Sequence, residues 1–379
     1  MKAQSIFGRS AQEISEKISN VITPHFNPTL AVVFMSDKNL VAEISEILER
    51  TNIEIFGVTA NRTFTDEVID AGLITALLLE MDRSYFKIIF KTYEEGEAEK
   101  AAEYIGFTGL ELFPSPAYIV SGSHVNSPIN DILKGIKSVA GIEALIIGGI
   151  ASDEDLVLGG FVFTNNLMGS NAILSLIIDT DNIEVTGYAV SGWIPMGIAK
   201  TITRSVGNRV YTIDDKPALD ILMKYTGIEI NVEDISDVYT KIGTVYPFQV
   251  QKEAGIPVMI PPLLLNKEDH SVICGMNIPE GSQIKFSFPP DFEVIERVIE
   301  QVKFTKVNEF PEADAMIIFS CVGRYNSLGP VVNAEIEGLQ KVWDVPLAGF
   351  FSFGEFGRSP GGQSEVHGTT CSWMALKEK

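Results

Sequence analysis

The chain has 379 residues, of which 45% are hydrophobic and 9% aromatic, and its formal net charge is −21. This composition is typical of a globular protein with a sizeable core, and the length predicts two domains. The negative charge argues against sequence-independent binding to DNA or RNA, which needs clustered Lys and Arg opposite phosphates. It disfavours anionic membrane surfaces for the same reason, so the expected partner is a small molecule or another protein.

Cysteine usage and the N-terminal residues bear on the compartment. Cys274, Cys321 and Cys371 are widely spaced, which suggests neither a zinc site nor a disulfide framework. The N-terminus lacks the apolar core of a secretory signal, and no run approaches the ~20 apolar residues of a membrane helix. We therefore expect a cytoplasmic protein without a membrane span.

The first hundred residues alternate between helical stripes and buried strands. Apolar residues at helical spacing predict helices over 9–21 and 40–48, and a stretch rich in Glu and Ala predicts another over 94–104. Uninterrupted apolar runs predict strands at 30–35, 53–58, 73–79 and 85–93.

The same order of elements returns twice. In the second copy a helix over 128–139 lies among strands at 117–120, 144–150, 160–163, 172–178 and 183–191. In the third copy a helix over 332–342 lies among strands at 316–319, 347–351 and 370–376. Between these copies the pattern differs, with a helix start at 214–217, proline-rich short strands over 240–292 and a helix over 292–302.

The three copies align on small residues at strand ends. The sequences Gly-Val-Thr-Ala (57–60), Gly-Ile-Ala-Ser (149–152) and Gly-Phe-Phe-Ser (349–352) take corresponding places. Ser121 and Cys321 each precede the glycine of their copy by 28 positions. We interpret this as one β-α-β-β-β unit used three times, although unrelated α/β proteins also contain look-alike units.

The order of elements within a unit predicts the fold class. A helix between the first two strands requires a parallel pair with a right-handed crossover. The short connections that follow favour antiparallel additions. We therefore predict an α/β protein with mixed sheets flanked by helices, in two closely packed domains over 28–225 and 226–376.

Polar residues that could carry chemistry concentrate at the strand ends of the third copy, where a scaffold presents function. They are Cys321, Arg324, Ser352, Glu355, His367 and Thr369. An arginine beside a glutamate could bind the carboxylate and the amine of a zwitterion. The alternative is an internal Arg324–Glu355 salt bridge that only holds the loops together.

Two further site hypotheses remain open. Cys321 could act as a nucleophile with His367 and Glu355, but its alignment with serines favours a buried structural cysteine. A second site could involve Trp193 with Ser152 and Asp153, the Trp either walling a pocket or plugging the core. The phosphate-loop, dinucleotide, HExxH and GxSxG motifs are missing from the sequence, so an enzyme is the less favoured class.

Several short motifs resemble a known family. The segments GGIASD (148–153), VSGWIPMG (190–197), VGN (206–208) and DKPA (215–218) resemble the N-terminal FIST domain. The segments SCVGR (320–324), GFFSFGE (349–355) and VHGTT (366–370) resemble its C-terminal partner domain. Together the resemblance spans about 28–376, and the chain looks like a stand-alone member.

The resemblance implies a sensory module that binds small ligands such as amino acids and acts through a signalling protein partner. It implies neither a catalytic set nor an obligatory cofactor. The resemblance also implies an alternative role, because some members of the family are haem proteins that sense nitric oxide. His270 lies in roughly the region where such a protein carries its axial ligand, so haem is the alternative cofactor to consider.

Overall fold

The computed structural model describes residues 1–123, 128–152, 160–228 and 235–379. Strands and helices are numbered in chain order along these residues. Three mixed sheets pack around one common core with helices on their outer faces, and a fourth sheet, formed by strands between residues 195 and 287, is inserted into the third repeat unit.

Sheet 1 comes mainly from the N-terminal unit. Its spatial order is β1 (Lys2–Gly8), β6 (Ile74–Glu80), β2 (Leu30–Met35), β3 (Glu54–Thr59), β10 (Val162–Phe163) and β11 (Met168–Gly169). β2 and β3 are parallel and the other pairs are antiparallel. Its helices are α1 (Ala11–Val21), begun by a Ser10 cap, and α2 (Val41–Arg50), which follows the short turn Lys38–Leu40.

Sheet 2 repeats this arrangement. Its order is β25 (Ser364–His367), β24 (Glu355–Arg358), β9 (Ile146–Gly149), β8 (Pro116–Gly122), β12 (Ala172–Asp179) and β7 (Phe86–Thr92). β8 and β9 form the parallel pair. The helices are α3 (Ala98–Leu112) and α4 (Ile129–Ala140), and the short turn Arg83–Tyr85 leads into β7.

Sheet 3 repeats it again. Its order is β13 (Ile183–Val190), β26 (Cys371–Glu378), β22 (Ala315–Cys321), β23 (Leu347–Ser352), β4 (Arg62–Thr65) and β5 (Ile69–Ala71). β22 and β23 are parallel. Its helices are α7 (Glu293–Asn308), α8 (Val322–Leu328) and α9 (Val332–Trp343), with the short turn Gly329–Val331 between the last two.

The fourth sheet interrupts the third unit between β13 and α7. Its order is β18 (Val258–Ile260), β17 (Phe248–Val250), β21 (Gln283–Ser287), β14 (Pro195–Val206), β15 (Arg209–Ile213), β20 (Val272–Cys274) and β19 (Pro262–Leu265), and β16 (Lys216–Pro217) pairs with β15. Its helices are α5 (Ala218–Thr226), α6 (Ile235–Val238) and the π-helix Tyr239–Gly243.

The three units exchange hairpins in a cycle. The hairpin β4–β5 of unit 1 extends the sheet of unit 3, β10–β11 of unit 2 extends that of unit 1, and β24–β25 of unit 3 extends that of unit 2. Each exchange places a phenylalanine opposite a glycine: Phe64 on Gly349, Phe163 on Gly57 and Phe356 on Gly148. At Gly57 and Gly349 an added Cβ would lie 2.3 Å from the facing ring, so the glycines make room for the exchange.

The inner faces of the three sheets form the common core. It includes Phe34, Phe319 and Phe350, one aromatic side chain from β2 and two from the parallel pair of sheet 3. The Phe34 and Phe350 ring centroids are 4.8 Å apart and those of Phe319 and Phe350 are 5.6 Å apart. Burial on both faces explains why the central strands read as continuous apolar runs.

The predicted mixed α/β fold built from a threefold unit is confirmed. The unit is longer than the sequence indicated, because a leading edge strand and helix precede it and a hairpin is inserted before its last strand. Both predicted ranges, 28–225 and 226–376, contribute strands to sheets 2 and 3, and the division into these two domains stays a prediction.

The alignment of the second copy needs correction. Ser36, Ser123 and Cys321 each donate the backbone N–H to a carbonyl at the beginning of the last strand of their unit, Leu73, Ala172 and Thr370 respectively. Ser123, and not Ser121, is therefore the counterpart of Cys321. By the same register Ala151, and not Ser152, corresponds to Ser352. Gly148 and Gly149 are adjacent, and the sequence alone could not choose between them.

Within the described ranges, no helix is long and apolar enough to cross a membrane.

Candidate functional site

A buried polar cluster lies where the parallel strands of sheet 3 end. Cys321 and Ser352 are neighbours in the register of β22 and β23. The chain then turns, and Glu355 opens β24 in sheet 2. Ser352 Oγ donates to Glu355 Oε1 at 2.6 Å and Thr370 Oγ1 donates to Oε2 at 2.9 Å. The sequence prediction that these strand ends converge is met for Cys321, Ser352 and Glu355.

Glu355 is a carboxyl group held in an apolar setting. It is fully buried, and burial raises its pKa to about 8, although the hydrogen bonds from Ser352 and Thr370 favour the ionised form. Among the described residues no Lys, Arg or His forms an ion pair with it. The side chain is therefore mostly protonated at pH 7 and can donate a hydrogen bond.

Two further titratable groups face this carboxyl. Burial raises the pKa of Cys321 well above its usual value, and the neighbouring Glu355 adds to the effect. Burial likewise raises the pKa of the Tyr239 hydroxyl, with Cys321 and Glu355 as further causes, while the residue as a whole is half-buried. Tyr239 begins the π-helix, a feature often found at functional sites. Because this helix belongs to the segment that forms the fourth sheet, Tyr239 connects that segment to the cluster.

Arg324 does not pair with Glu355, contrary to one of the two sequence hypotheses. Its partner is Glu335 on α9: Nε donates to Oε1 at 3.1 Å, and Nη2 donates to Oε2. Nη1 donates to the carbonyls of Ser191 and Thr369, the latter at 3.2 Å. Both charged side chains are fully buried. This fork of contacts ties together β13, α8, α9 and the loop before β26.

Trp193 belongs to the same neighbourhood. The Arg324 guanidinium lies 5.1 Å from the centroid of its ring, and its Nε1 donates to Val245 O at 3.1 Å. The ring is 6% exposed and packs with Met259 and Val294. The observed contacts match the core-plug alternative, in which the ring covers a buried charge.

Ser152 lies at the junction of the three units. In two junctions a backbone N–H reaches a carbonyl of the next unit directly, Ser152 N to Thr59 O at 3.2 Å and Phe353 N to Ile150 O at 3.2 Å. In the third the Ser152 hydroxyl intervenes: it accepts from Asn61 N at 3.2 Å and donates to the Phe351 carbonyl at 2.7 Å. Its contacts are thus within the scaffold.

The remaining predicted site residues fall into different settings. His367 is buried; Nε2 contacts Gly357 O at 3.2 Å, Nδ1 has no hydrogen-bond partner, and burial lowers the pKa to about 4. Thr369 has a positive φ of 54°, a strained conformation for a β-branched residue. Asp153 lies outside the described residues. None of the described hydrogen bonds joins His367 to Cys321, so the contacts that a thiol triad needs are not made.

His270, considered for haem, sits in a turn before β20 with a φ of 53°. Its ring is 49% exposed and Nδ1 lies 2.6 Å from Asp220 Oδ1. Because an axial ligand needs an apolar slot that can hold the macrocycle, this exposed, carboxylate-bound histidine does not fit that role. Among the described residues no group of three or more His, Cys, Asp or Glu is placed to hold a metal ion.

Sequence reasoning missed Glu335, Tyr239 and Thr370. Glu335 had a signal, because it falls on the apolar stripe of its helix with Val332, Ile336 and Leu339. A charged residue on a buried face needs a partner. Tyr239 had none, since its approach to the cluster depends on how the inserted sheet packs.

The fold and the site together define the class, an α/β protein made of interlocked strand–helix–strand units around a buried polar cluster. Family models described as the FIST N domain and the FIST C domain match residues 29–216 and 218–358. The chain therefore belongs to the FIST family, as the motifs predicted. FIST domains are sensory domains in signal transduction that respond to small ligands. No curated protein was found that matches the sequence significantly.

Proposed function

We propose that this FIST protein is an intracellular sensor of amino acids or related amine-bearing metabolites, and that the ligand binds at the cluster around Glu355. The observation that carries the proposal is the fully buried carboxyl group of Glu355, whose hydrogen-bond partners, among them the hydroxyls of Ser352 and Thr370, are uncharged. A ligand ammonium placed there would supply the missing positive charge and turn a neutral acid into a paired carboxylate.

The other residues of the cluster support this role in different ways. Arg324 is already satisfied by Glu335 and two carbonyls, so it shapes the wall and leaves amine recognition to Glu355. Tyr239 is half-buried and faces Cys321 and Glu355, and we place the entry of the ligand beside this residue. Because the raised pKa of Cys321 keeps the thiol protonated, a binding function fits better than nucleophilic catalysis.

The test is a thermal-shift screen of the twenty amino acids and simple amines against the wild-type chain and Glu355→Gln. A ligand present at ~100 times its Kd should add about 2.7 kcal/mol to the free energy of unfolding. We expect one or more amines to raise the Tm of the wild type and to have no effect on the variant.

Calorimetry at pH 7 in buffers of different ionisation enthalpy gives a second readout. Binding of the ammonium form should release up to one proton, because Glu355 ionises when it is paired. If no amine raises the Tm, or if binding proceeds without proton release, the proposed recognition is wrong.

A further inference from the structure

The three seams between neighbouring sheets are equivalent in the repeat but differ in how they close. Each seam brings the leading edge strand of one unit against the sheet of a neighbouring unit, where it meets the hairpin that its own unit donates to that sheet. The paired positions are Ser5 with Asp66, Gly187 with Arg358, and Ile88 with Asn165. The first residue of each pair lies on a leading edge strand and pairs with an equivalent position in the last strand of its unit. The second residue follows the phenylalanine of the exchanged hairpin by two positions.

Two of the seams are closed by a hydrogen bond between these positions. Asp66 Oδ1 accepts from Ser5 Oγ and also from Leu347 N, at 3.2 Å for the latter. Arg358 Nε donates to Gly187 O at 3.4 Å. In both cases a side chain of the exchanged hairpin reaches the edge strand of the neighbouring sheet.

The third seam has no such link. Asn165 Oδ1 accepts from Ile55 N at 3.0 Å, but its amide nitrogen turns back to Ile53 O at 2.8 Å. Ile88, in the place of Ser5, has no polar side-chain group to offer. A cleft of about 610 Å³ opens here between β3 and β7, a volume in the range of ligand sites.

The outer edge of β7 offers unpaired backbone groups to this cleft. Tyr93 N donates to Asn171 O at 3.1 Å, which fixes the phase of the ladder between β7 and β12. Lys87, Ile89 and Lys91 thus bond to β12. The N–H and C=O groups of Ile88 and Phe90 point the other way, and both residues line the cleft.

The other residues that line the cleft indicate which kind of ligand would fit it. Phe90, Tyr104 and Leu167 supply an apolar floor, and Glu49 supplies a carboxylate at the rim. No ion pair involving Glu49 is present among the described residues, in a chain whose net charge is −21. An extended segment with alternating apolar and basic side chains complements all three features.

We propose that the cleft binds an extended peptide segment of a partner protein, which adds as a strand to the outer edge of β7. Its backbone pairs with Ile88 and Phe90, its apolar side chains rest on the floor, and a Lys or Arg meets Glu49. Strand addition is an established mode of peptide recognition in which backbone bonds give affinity and alternate side chains give specificity. This surface is separate from the cluster around Glu355, and the proposal does not depend on the ligand assigned there.

The first test uses a labelled probe, the fluorescein-tagged peptide acetyl-Lys-Val-Thr-Val-Lys-Val-amide, in fluorescence anisotropy with the full chain. The comparison peptide has the same side chains but is N-methylated at its inner residues, so it cannot pair as a strand. We expect saturable binding of the first peptide and at least tenfold weaker binding of the second. Equal affinity of the two peptides, or no binding of either up to about 1 mM, overturns the proposal.

Protein variants locate the binding edge. Ile88→Pro removes the N–H that faces the cleft and leaves the ladder to β12 intact, since proline is tolerated on edge strands; Ile88→Val is the matched control. The double variant Ile88→Ser with Asn165→Asp copies the Ser5–Asp66 link and should close the seam. We expect Ile88→Val to bind like the wild type and the other two to lose at least tenfold in affinity, with unchanged circular dichroism.

Sedimentation of the chain alone distinguishes a partner peptide from a second copy of this protein. A monomer at all concentrations agrees with the proposal. Concentration-dependent dimers that Ile88→Pro abolishes would assign the edge to self-association instead.

Discussion

The two buried glutamates of the site should respond in opposite ways to the same substitution. Glu335 neutralises Arg324 within a fully buried pair. Glu335→Gln leaves the guanidinium charge buried without its partner, a change that costs about 3–5 kcal/mol. Glu355, by contrast, is mostly protonated at pH 6.5, because burial raises its pKa to about 8. Glu355→Gln replaces one neutral group by another of similar shape, so we expect a loss of about 0.5–1.5 kcal/mol.

The assay is urea unfolding of the wild type and both variants at pH 6.5, followed by tryptophan fluorescence and circular dichroism. The order of the two losses is the result that matters. If Glu355→Gln is the more destabilising variant at this pH, then Arg324 relies on Glu355 and the assignment of its partner is wrong.

The pH dependence provides a second check on Glu355. Its pKa in the folded chain is about 8 against a reference value of 4.5, so the folded state holds a proton that the unfolded state releases. The contribution of Glu355, measured as the difference in free energy of unfolding between the wild type and Glu355→Gln, should fall as the pH rises from about 4.5 to about 8, by roughly 4–5 kcal/mol at ~1.4 kcal/mol per pKa unit. Glu355→Gln lacks this contribution and should exceed the wild type in stability above pH 8. A stability difference that does not vary with pH would contradict the protonated state.

Four other outcomes are expected. Since burial lowers the pKa of His367 to about 4, the contribution of His367 to stability should fall as the pH falls from about 6.5 to 4, opposite in sign to that of Glu355, so His367→Gln should gain stability relative to the wild type over this range in urea unfolding. Cys321 should resist alkylation in the folded chain at pH 7, because its pKa is raised and it is buried; rapid labelling detected by mass spectrometry would revive the enzyme hypothesis. Ser152→Ala should cost about 1–3 kcal/mol by leaving a buried N–H and a carbonyl without their bridge, whereas Ser152→Thr, which keeps the hydroxyl, should cost less. Absorption spectra after addition of haem should show no Soret band that depends on His270. A Soret band in the wild type that His270→Ala abolishes would support the haem-sensor hypothesis instead.

The central strands and the amphipathic helices could be predicted from the sequence. Strands such as Leu30–Met35 are buried on both faces and stand out as apolar runs, and the helices show their stripe directly. The hairpin strands were harder, because β10 has only two paired residues and β4 pairs with a strand at the other end of the chain. Their existence depends on partners that no local window contains.

The position of the site could be predicted from the sequence, but the partner of Arg324 could not. Cys321 and Ser352 end adjacent parallel strands, and Glu355 follows Ser352 by three residues, so the topology alone brings the three residues together. Which acid pairs with Arg324 is decided by α9, where Glu335 lies on the buried face of the helix together with Val332 and Leu339. Ser152 was selected from the sequence because of its alignment with Ser352. Its hydroxyl contacts, to Asn61 N and Phe351 O, form only when the three units are packed together.

The cyclic exchange of hairpins also constrains how the chain can fold. β4 and β5 are made early but their sheet needs β23, and β9 stays an open edge until β24 has been synthesised. Each of the three sheets around the common core contains a strand from a distant part of the sequence. The non-local contacts must therefore form late, and folding should be slow. A ribosome-bound or truncated N-terminal portion would expose strand edges, which are prone to aggregate. Such a protein is expected to depend on chaperones during synthesis and to resist division into independently stable parts.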